Sequence, residues 1–361
     1  MTMVVTETRR SIGVITLNRP QALNALSLDM IRDITAALLV WRDDADIAAV
    51  VLRGATQDGR AAAFCAGGDI RFFHQAALAG DPRLDDFFTE EYTLNHLIHA
   101  YPKPVVALMD GIVMGGGMGL SVGAAVRVVT ERTKMAMPET RIGLFPDVGG
   151  GHFLSRCPGR YGEYLALTGQ AMGAGDAIAL GLADLALPSE RLPALVETLG
   201  DQPMESAAHV RAAIAAAAGP APEAVLAAHR GAIDLHFGQG DLAAIVRSLR
   251  GDASDWAQRT LADLLDRSPL MMAVTLEQLR RARDMSLADD LRMERDLVRH
   301  CFSLRPGAAS ETVEGIRALA VDKDHAPRWN PPRIDDVTAE MVAAFFESPW
   351  PAHAHPLRVL D

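Results

Sequence analysis

Cysteine is rare in this chain of 361 residues, which contains only Cys65, Cys157 and Cys301. The three residues are far apart, odd in number and not arranged as CxxC. A disulfide framework and a zinc knuckle are therefore both unexpected, and a reducing compartment is the natural setting for the chain. We predict a cytoplasmic protein that holds no metal.

Long apolar runs are also missing. The most apolar stretch, between Asp110 and Arg127, has 16 residues and is crowded with glycine. A membrane-spanning helix needs about 20 apolar residues, so this stretch is predicted to be a buried core segment. The N-terminal residues MTMVVTETRR lack the basic segment and apolar run of a signal peptide.

Basic residues are outnumbered, since 35 Lys and Arg stand against 46 Asp and Glu, which gives a formal net charge of −11. An acidic surface repels nucleic acid and anionic membranes, so neither is an expected partner. A small anionic ligand is still compatible with this charge, because a local basic patch can hold it. The apolar fraction of 49% is that of a folded globular protein, and the length suits two domains or one domain with an appendage.

The first half of the chain alternates strand and helix patterns. Ser27 precedes apolar residues at helical spacing and is a candidate N-cap, and further helices are predicted at Phe87–Ala100 and from Gly115 to Ala125. Short β-branched runs predict strands at Met3–Arg9, Ile12–Leu17, Ala48–Leu52, Pro104–Met109, Val126–Thr130 and Lys134–Met137. A polar loop is predicted at Thr56–Arg60, before the segment Ala61–Phe64. The order strand, strand, helix recurs, which predicts an α/β protein built from ββα repeats.

After about residue 200 the pattern becomes helical. Helices are predicted at Ala207–Ala218, Pro222–His229, Leu261–Asp266, Leu276–Met285 and Leu287–Phe302. We therefore expect a core at residues 1–200 and a mostly helical C-terminal region at residues 201–361.

Two glycine-rich stretches follow predicted strands and precede helices, at Phe64–Ile70 and Gly111–Gly119. Such junctions expose backbone N–H groups, and two N–H groups aimed at one point form an oxyanion hole. Each stretch taken alone is equally compatible with a tight turn. Neither fits the P-loop or the dinucleotide-binding pattern.

Ser121 lies in a GxSxG sequence, which is the pattern of a nucleophile elbow. That motif requires the serine at a sharp turn between strand and helix. Here the turn falls earlier, at Gly115–Gly117, so Ser121 is predicted inside the helix. A serine nucleophile is therefore disfavoured.

Glu139 and Asp147 are eight residues apart in a segment that Pro138, Gly143 and Pro146 prevent from forming one helix. Their neighbours are apolar, and an apolar environment raises the pKa of a carboxyl group and suits it to acid–base or nucleophilic chemistry. Structural roles are an open alternative: Asp147 as a cap of a following helix, and Glu139 as the partner of Arg141.

In this order and spacing, three stretches resemble the crotonase (enoyl-CoA hydratase/isomerase) superfamily: Phe64–Ile70, Met114–Ser121 and Met137–Gly151. Further segments resemble its branch of acyl-CoA thioester hydrolases: Glu90–Asn95, Leu165–Gly169, Asp266–Pro269, Glu314–Ala318 and Asp322–Asp324, with Pro327 and Trp329. The resemblance covers nearly the whole chain, and its central motif is long and specific.

The resemblance implies a crotonase-like spiral of ββα repeats with a helical C-terminal region. It also implies hydrolysis of a short branched acyl-CoA thioester, with 3-hydroxyisobutyryl-CoA in valine catabolism as the first expectation. CoA would be part of the substrate, and no separate cofactor is expected. The resemblance further implies a homo-oligomer.

Matched residue by residue, the resemblance places the oxyanion amides on Gly68 and Gly116 and the catalytic pair on Glu139 and Asp147. Glu139 would act either as the nucleophile or as the base that activates water. Glu91 matches a position that contacts substrate. The remaining expected substrate-binding residues are Ala22, Ala66, Gly67, Asp69, Ile70 and Gly115.

One position departs from the wider superfamily. Hydratases that resemble this chain carry a glutamate two residues after the glycine run, where this sequence has Gly119. Hydration by two glutamates would lack one acid, which favours hydrolysis. A hydratase or isomerase of the same fold and a non-catalytic acyl-CoA-binding protein are the alternatives.

Overall fold

The computed structural model describes residues 2–56, 62–201 and 206–361. The predicted loop at Thr56–Arg60 and the start of Ala61–Phe64 lie mostly outside the described residues. The chain divides into two compact units that are discontinuous in sequence. The first unit comprises Met1–Gly68, Thr93–Ala136 and Met172–Ala227, and the second comprises Asp69–Tyr92, Met137–Ala171 and Ala228–Asp361.

The first unit contains two sheets. Its large sheet has the order β1-β2-β3-β5-β7-β9, with strands β1 (Val4–Arg9), β2 (Ile12–Leu17), β3 (Ala49–Gly54), β5 (Val105–Met109), β7 (Val126–Val129) and β9 (Leu185–Ala186). The small sheet has the order β4-β6-β8, with strands β4 (Ala63–Cys65), β6 (Ile112–Met114) and β8 (Lys134–Ala136). In the described part of the chain, every pairing between two of these strands is parallel except that of β1 with β2.

The ββα repeat is visible in the order in which strands of the two sheets follow one another along the chain. Strands β3, β5 and β7 belong to the large sheet, and the strand that follows each one belongs to the small sheet. A helix then returns the chain to the large sheet, as parallel neighbours require. The predicted α/β architecture of ββα repeats is confirmed.

The first unit also contains helices. They are α1 (Leu28–Arg42), α4 (Gly116–Val122), α7 (Ala174–Ala179), α8 (Leu192–Asp201) and α9 (Ala207–Ala217). Ser27 caps α1 by accepting a hydrogen bond from the Met30 amide, as predicted. On one face, Ile12, Val51 and Val106 pack against Leu195 of α8 and Val210 of α9.

The second unit is helical. Its helices are α2 (Ile70–Ala79), α5 (Gly150–Leu154), α6 (Tyr161–Thr168), α10 (Arg230–Phe237), α11 (Leu242–Arg250), α12 (Asp255–Leu265), α13 (Pro269–Ala282), α14 (Leu287–Ser303), α15 (Glu311–Ile316) and α16 (Ala339–Ala343). Helix α3 (Arg83–His99) has residues 83–92 in this unit and the rest in the first.

The predicted helix at Pro222–His229 is shorter in the structure, where only Val225–His229 forms a 3₁₀ turn. Pro220 and Pro222 restrict the residues before them to extended geometry, so the chain enters this turn from an extended segment. The described residues include no helix long and apolar enough to cross a membrane. The predicted boundary at residue 200 stays a prediction, although the first unit contains segments from both sides of it.

Candidate active site

The two glycines predicted to form an oxyanion hole follow neighbouring strands of the small sheet. Gly68 comes shortly after β4, and Gly116 comes shortly after β6 and begins α4. Because β4 and β6 are parallel, their carboxyl ends lie at the same edge of the sheet. The fold therefore brings these two backbone segments together.

Glycine is required where the segments meet. A Cβ atom on Gly117 would lie 2.3 Å from the Cys65 carbonyl oxygen, and one on Gly67 would lie 3.2 Å from the Met114 carbonyl oxygen. Gly67 has φ +103° and Gly115 has φ +48°, values that residues with a Cβ rarely adopt. The glycine runs are thus explained by close backbone approach.

Three predicted substrate-binding residues lie beside this pair. Ala22 ends a 3₁₀ turn at Pro20–Ala22, and the amide of Ala66 donates to the carbonyl of Leu23 at 3.0 Å. The Leu26 amide donates to the carbonyl of Gly67 at 2.8 Å. The segment around Ala22 and the segment from Ala66 to Gly68 are therefore adjacent, as expected if both line one crevice.

Ser121 lies in the last turn of α4 and is fully buried. Its hydroxyl donates to the carbonyl of Gly117 at 2.8 Å, the usual back-bond of a helical serine. This position is not a strand-to-helix turn, so the structure confirms that the GxSxG sequence is not a nucleophile elbow.

Three predicted site carboxyls belong to the second unit. Glu91 lies on α3, Glu139 begins the 3₁₀ turn Glu139–Ile142, and Asp147 lies on the loop before α5. All three are buried. Asp69 and Ile70 belong to the same unit, where the Asp69 carboxylate caps α2 by accepting from the Phe72 amide at 3.3 Å.

Tyr92 forms a hydrogen bond with one of these carboxyls. Its hydroxyl donates to Oδ2 of Asp147 at 2.8 Å in a buried hydrogen bond. Glu91 Oε1 and Glu139 Oε2 are buried and have no hydrogen-bond partner among the described residues. Buried polar atoms are normally satisfied, so these two oxygens are available to a bound molecule.

The pKa values of these groups are shifted by burial and by each other. Burial raises the pKa of Asp147 to about 6, and the hydrogen bond from Tyr92 opposes this rise. Burial, and then the charge on Asp147, raise the pKa of Glu139 and that of Glu91 well above the usual value. Asp147 is therefore poised to exchange a proton near neutral pH.

The structural roles that the sequence left open are not the observed ones. Asp147 does not cap a helix, because α5 begins at Gly150 without a side-chain cap. Glu139 forms no ion pair with Arg141 among the ion pairs of residues 2–56, 62–201 and 206–361.

Within the same described ranges, no group of three or more potential metal-ligating side chains is arranged to hold a metal ion.

Sequence reasoning missed the residues that support Asp147. Tyr92 follows Glu91 directly, but nothing in its local sequence indicates a partner 55 residues away. Glu294 and Asp290 are one helical turn apart on α14 and accept hydrogen bonds from the backbone at Gly149, Gly151 and His152. Two acids one turn apart on the buried face of an amphipathic helix were the available signal.

Residues 12–346 match the family model described as enoyl-CoA hydratase/isomerase. A relative from Xenopus tropicalis, named 3-hydroxyisobutyryl-CoA hydrolase, mitochondrial, is 43% identical over 93% of this chain and 86% of its own length. A relative of the same name from Rattus norvegicus is 41% identical over 96% of this chain and 89% of its own length.

Solved structures share the fold. A carnitinyl-CoA dehydratase from Mycobacterium thermoresistibile superposes with a TM-score of 0.90 at 37% identity and covers 100% of both chains. An enoyl-CoA hydratase from Rhodobacter sphaeroides superposes with a TM-score of 0.87 at 39% identity over 96% of this chain and 98% of its own. The chain belongs to the enoyl-CoA hydratase/isomerase family.

Proposed function

We propose that this protein hydrolyses a short branched acyl-CoA thioester, 3-hydroxyisobutyryl-CoA, to 3-hydroxyisobutyrate and CoA. The observation that carries the proposal is the group of buried carboxyls Glu91, Glu139 and Asp147. Burial raises their pKa values, and the charge on Asp147 raises those of Glu139 and Glu91 further. The names of relatives that are 41–43% identical over most of the chain support the same reaction.

In this proposal the amides of Gly68 and Gly116 stabilise the negative charge that develops on the thioester oxygen. Removing one such donor typically slows an acyl transfer by about 100- to 1,000-fold. The close approach of the two glycine segments in the first unit supports this role.

Glu139 attacks the thioester carbon with one carboxylate oxygen, so that a C–O bond forms and the C–S bond breaks. The products of this step are a mixed anhydride on Glu139 and the CoA thiolate. Water then adds to the anhydride, which releases the carboxylate product and regenerates Glu139. Overall, one water is consumed, and its two protons go to the CoA thiolate and to the solvent.

Asp147 moves protons between these steps. Because its pKa is about 6, it can take a proton from the attacking water and return it near neutral pH. Glu91 supplies a buried acceptor for a polar group of the acyl chain, such as a hydroxyl. Its unpartnered Oε1 supports that assignment.

Hydration or dehydration is the second candidate, because the solved structures cited above are titled dehydratase and hydratase. That chemistry in the two-glutamate form needs a second acid at the position of Gly119, which is a buried residue of α4. A hydratase would convert crotonyl-CoA without releasing thiol, whereas a hydrolase would release thiol from a saturated acyl-CoA. A non-catalytic acyl-CoA-binding protein would do neither.

The deciding experiment measures thiol release from a panel of short acyl-CoAs with a chromogenic thiol reagent. We expect 3-hydroxyisobutyryl-CoA to give the highest kcat/KM and crotonyl-CoA to show no hydration. Absence of thiol release from every member of the panel contradicts the proposal.

Two variants test the residues. Glu139→Gln and Asp147→Asn should each remove most of the activity, by about 1,000-fold, while the protein stays folded. Glu277→Gln is the matched control, since it neutralises a half-buried glutamate whose ion pair among the described residues is with Arg281 on the same helix. Near-wild-type turnover of either site variant refutes the assignment.

A trapping experiment separates the two roles of Glu139. If an anhydride forms, rapid acid quench should yield a peptide containing Glu139 that is heavier by the acyl group and loses it to hydroxylamine. If Glu139 only activates water, no acylated peptide appears at any time in the turnover.

The biological setting is part of the same proposal. Valine catabolism follows if 3-hydroxyisobutyryl-CoA is the substrate. All three cysteines are buried and outside any disulfide, which supports a reducing compartment, and we propose the cytoplasm. The word mitochondrial in the names of the relatives describes those proteins. A homo-oligomer stays a prediction.

A further inference from the structure

The loop that carries Asp147 is fixed by side chains from the far end of the sequence. The amide of Gly149 donates to Glu294 Oε2 at 2.7 Å, and the amide of Gly151 donates to Glu294 Oε1 at 2.9 Å. The next amide, of His152, donates to Asp290 Oδ2 at 2.8 Å. These amides are at the start of α5, which has no cap from its own segment.

A third side chain fixes the backbone on the N-terminal side of Asp147. Gln278 of α13 donates from Nε2 to the carbonyl of Pro146 at 2.7 Å and to Glu294 Oε1 at 3.0 Å. The residues before and after the catalytic segment are therefore tied to one connected set of hydrogen bonds. Gln278, Asp290 and Glu294 are all completely buried.

The backbone beside Asp147 needs this restraint. Val148 has φ +56° and Gly149 has φ +88°. A positive φ is rare for a β-branched residue and persists only where the surroundings hold it in place. The hydrogen bonds to Pro146 and Gly149 bracket this strained position.

Glu294 and Asp290 differ in how many of their carboxyl oxygens accept hydrogen bonds from N–H groups. Both oxygens of Glu294 face N–H donors, so each must accept a hydrogen bond. Only one oxygen of Asp290 accepts from a backbone N–H, and its carboxyl otherwise interacts with the Glu294 side chain and not with the loop. An amide side chain can therefore replace the carboxyl at 290 without losing a backbone hydrogen bond, but it cannot do so at 294.

Helix α14 also reaches the helix that carries Tyr92. Arg295, next to Glu294, donates from Nε to Thr89 Oγ1 at 3.0 Å and from an Nη atom to Asp85 Oδ1 at 2.7 Å. Both partners are on α3. Two consecutive residues of α14 thus hold the backbone of the Asp147 loop and the helix that supplies its hydrogen-bond donor.

We propose that Glu294 is a positioning residue for the reaction, because it fixes the Asp147 loop through the amides of Gly149 and Gly151. It touches no substrate and acts only through the geometry of Asp147. The inference rests on the proposed hydrolysis, in which Asp147 moves protons. A displacement of about 1 Å in a catalytic group can cost about 100-fold in rate.

The test compares Glu294→Gln with Asp290→Asn, which remove buried acids one turn apart on the same helix. The Gln amide presents an NH₂ group to an N–H donor, so at least one loop hydrogen bond is lost. We expect kcat for thiol release from 3-hydroxyisobutyryl-CoA to fall about 100-fold in Glu294→Gln. KM should change by less than about threefold, and Asp290→Asn should keep kcat within about threefold of the wild type.

Hydrogen exchange supplies a readout that does not depend on activity. The amides of Gly149 and Gly151 should exchange faster in Glu294→Gln than in Asp290→Asn, while amides of the first unit are unchanged. If Glu294→Gln does not fold, Gln278→Met removes the hydrogen bond to Pro146 and should lower kcat about tenfold without changing KM.

Each outcome distinguishes this inference from the proposed function. Wild-type kcat in Glu294→Gln, or equal losses in Glu294→Gln and Asp290→Asn, overturns the positioning role while Asp147→Asn remains inactive. If Asp147→Asn itself keeps full activity, the proposed function fails and the positioning role fails with it.

Discussion

The hydroxyl of Tyr92 lies 2.8 Å from Oδ2 of Asp147 and donates a buried hydrogen bond to it. This bond opposes the effect of burial, which raises the pKa of Asp147 to about 6. A residue on another element, 55 positions earlier in the chain, therefore lowers the proton affinity that burial gives Asp147.

Tyr92→Phe should shift the pH dependence of the reaction. The hydrogen bond stabilises the ionised form of Asp147, so its loss raises the pKa of Asp147 further. We expect the acidic limb of kcat/KM for thiol release to move to higher pH by about half to one unit. Tyr101→Phe is the control, because Tyr101 donates to the carbonyl of Leu38 in the first unit. A shift of equal size in both variants contradicts the role of Tyr92.

Asp147→Asn should stabilise the protein at high pH while abolishing activity. Folding raises the pKa of this carboxyl from 3.8 to about 6. The folded state therefore binds the proton more tightly, and stability is lost as pH rises from about 4 through about 6. Asparagine avoids that loss. We expect a gain of about 1–3 kcal/mol in the free energy of unfolding at pH 8 and none at pH 4.

Chemical denaturation at the two pH values measures this gain. Asp335→Asn, at an exposed carboxyl, is the control and should show no pH-dependent gain. A stability difference for Asp147→Asn that is the same at both pH values shows that packing, and not ionisation, causes it.

Gly117→Ala should damage the oxyanion segment of the first unit. The new Cβ would lie 2.3 Å from the Cys65 carbonyl oxygen, so the two glycine segments must separate. We expect a loss of about 1–3 kcal/mol in the free energy of unfolding. The kcat for thiol release should fall about 100-fold, since the Gly116 amide moves.

Gly173→Ala is the matched control for this substitution. Gly173 has φ −88°, and a Cβ there would have no neighbour within 4 Å. Its stability and kcat should stay close to those of the wild type. An unchanged kcat in Gly117→Ala would count against the oxyanion assignment.

Ser268→Ala should destabilise the second unit beside the Glu139 turn. Ser268 is fully buried, caps α13 at the Met271 amide at 3.2 Å and donates to Glu311. Its own amide donates to the carbonyl of Thr140, the neighbour of Glu139, at 3.1 Å. Loss of the cap and of a hydrogen bond to a buried acid should cost about 2–3 kcal/mol in urea unfolding.

Ser206→Ala provides the comparison, because Ser206 caps α9 on the exposed surface by accepting a hydrogen bond from the His209 amide at 3.3 Å. It should cost about 1 kcal/mol or less. Equal losses in the two variants would mean that the bond to Glu311 contributes nothing.

Much of the fold could be predicted from local patterns. The β-branched runs at Ile12–Leu17 and Val126–Val129 form strands, and Ser27 caps α1. These elements follow from interactions within a few residues, which periodicity and capping rules describe. Pro222–His229 was predicted too long, since residues 222–224 have no regular secondary structure in spite of their helical pattern.

The candidate site was predictable only in part. The glycine runs and the acids Glu139 and Asp147 were identified by residue type and spacing, and the structure places each group among close neighbours of its own unit. Their roles stay predictions. The supports at Tyr92, Gln278 and Glu294 were not identified. The acids Asp290 and Glu294 on the buried face of α14 indicate a buried polar site, but their spacing does not identify Asp147 as its neighbour.

The sequence by itself determined the strand and helix order, the family and the residue types available for chemistry. Only the tertiary structure decided that Glu294 meets Gly149, 145 positions away, and that Tyr92 meets Asp147. The physical reason is that a hydrogen bond between distant segments leaves no local period in the sequence. Such a bond forms only after helix packing has excluded water from both groups. Each buried group must then find its hydrogen-bond partner within the protein.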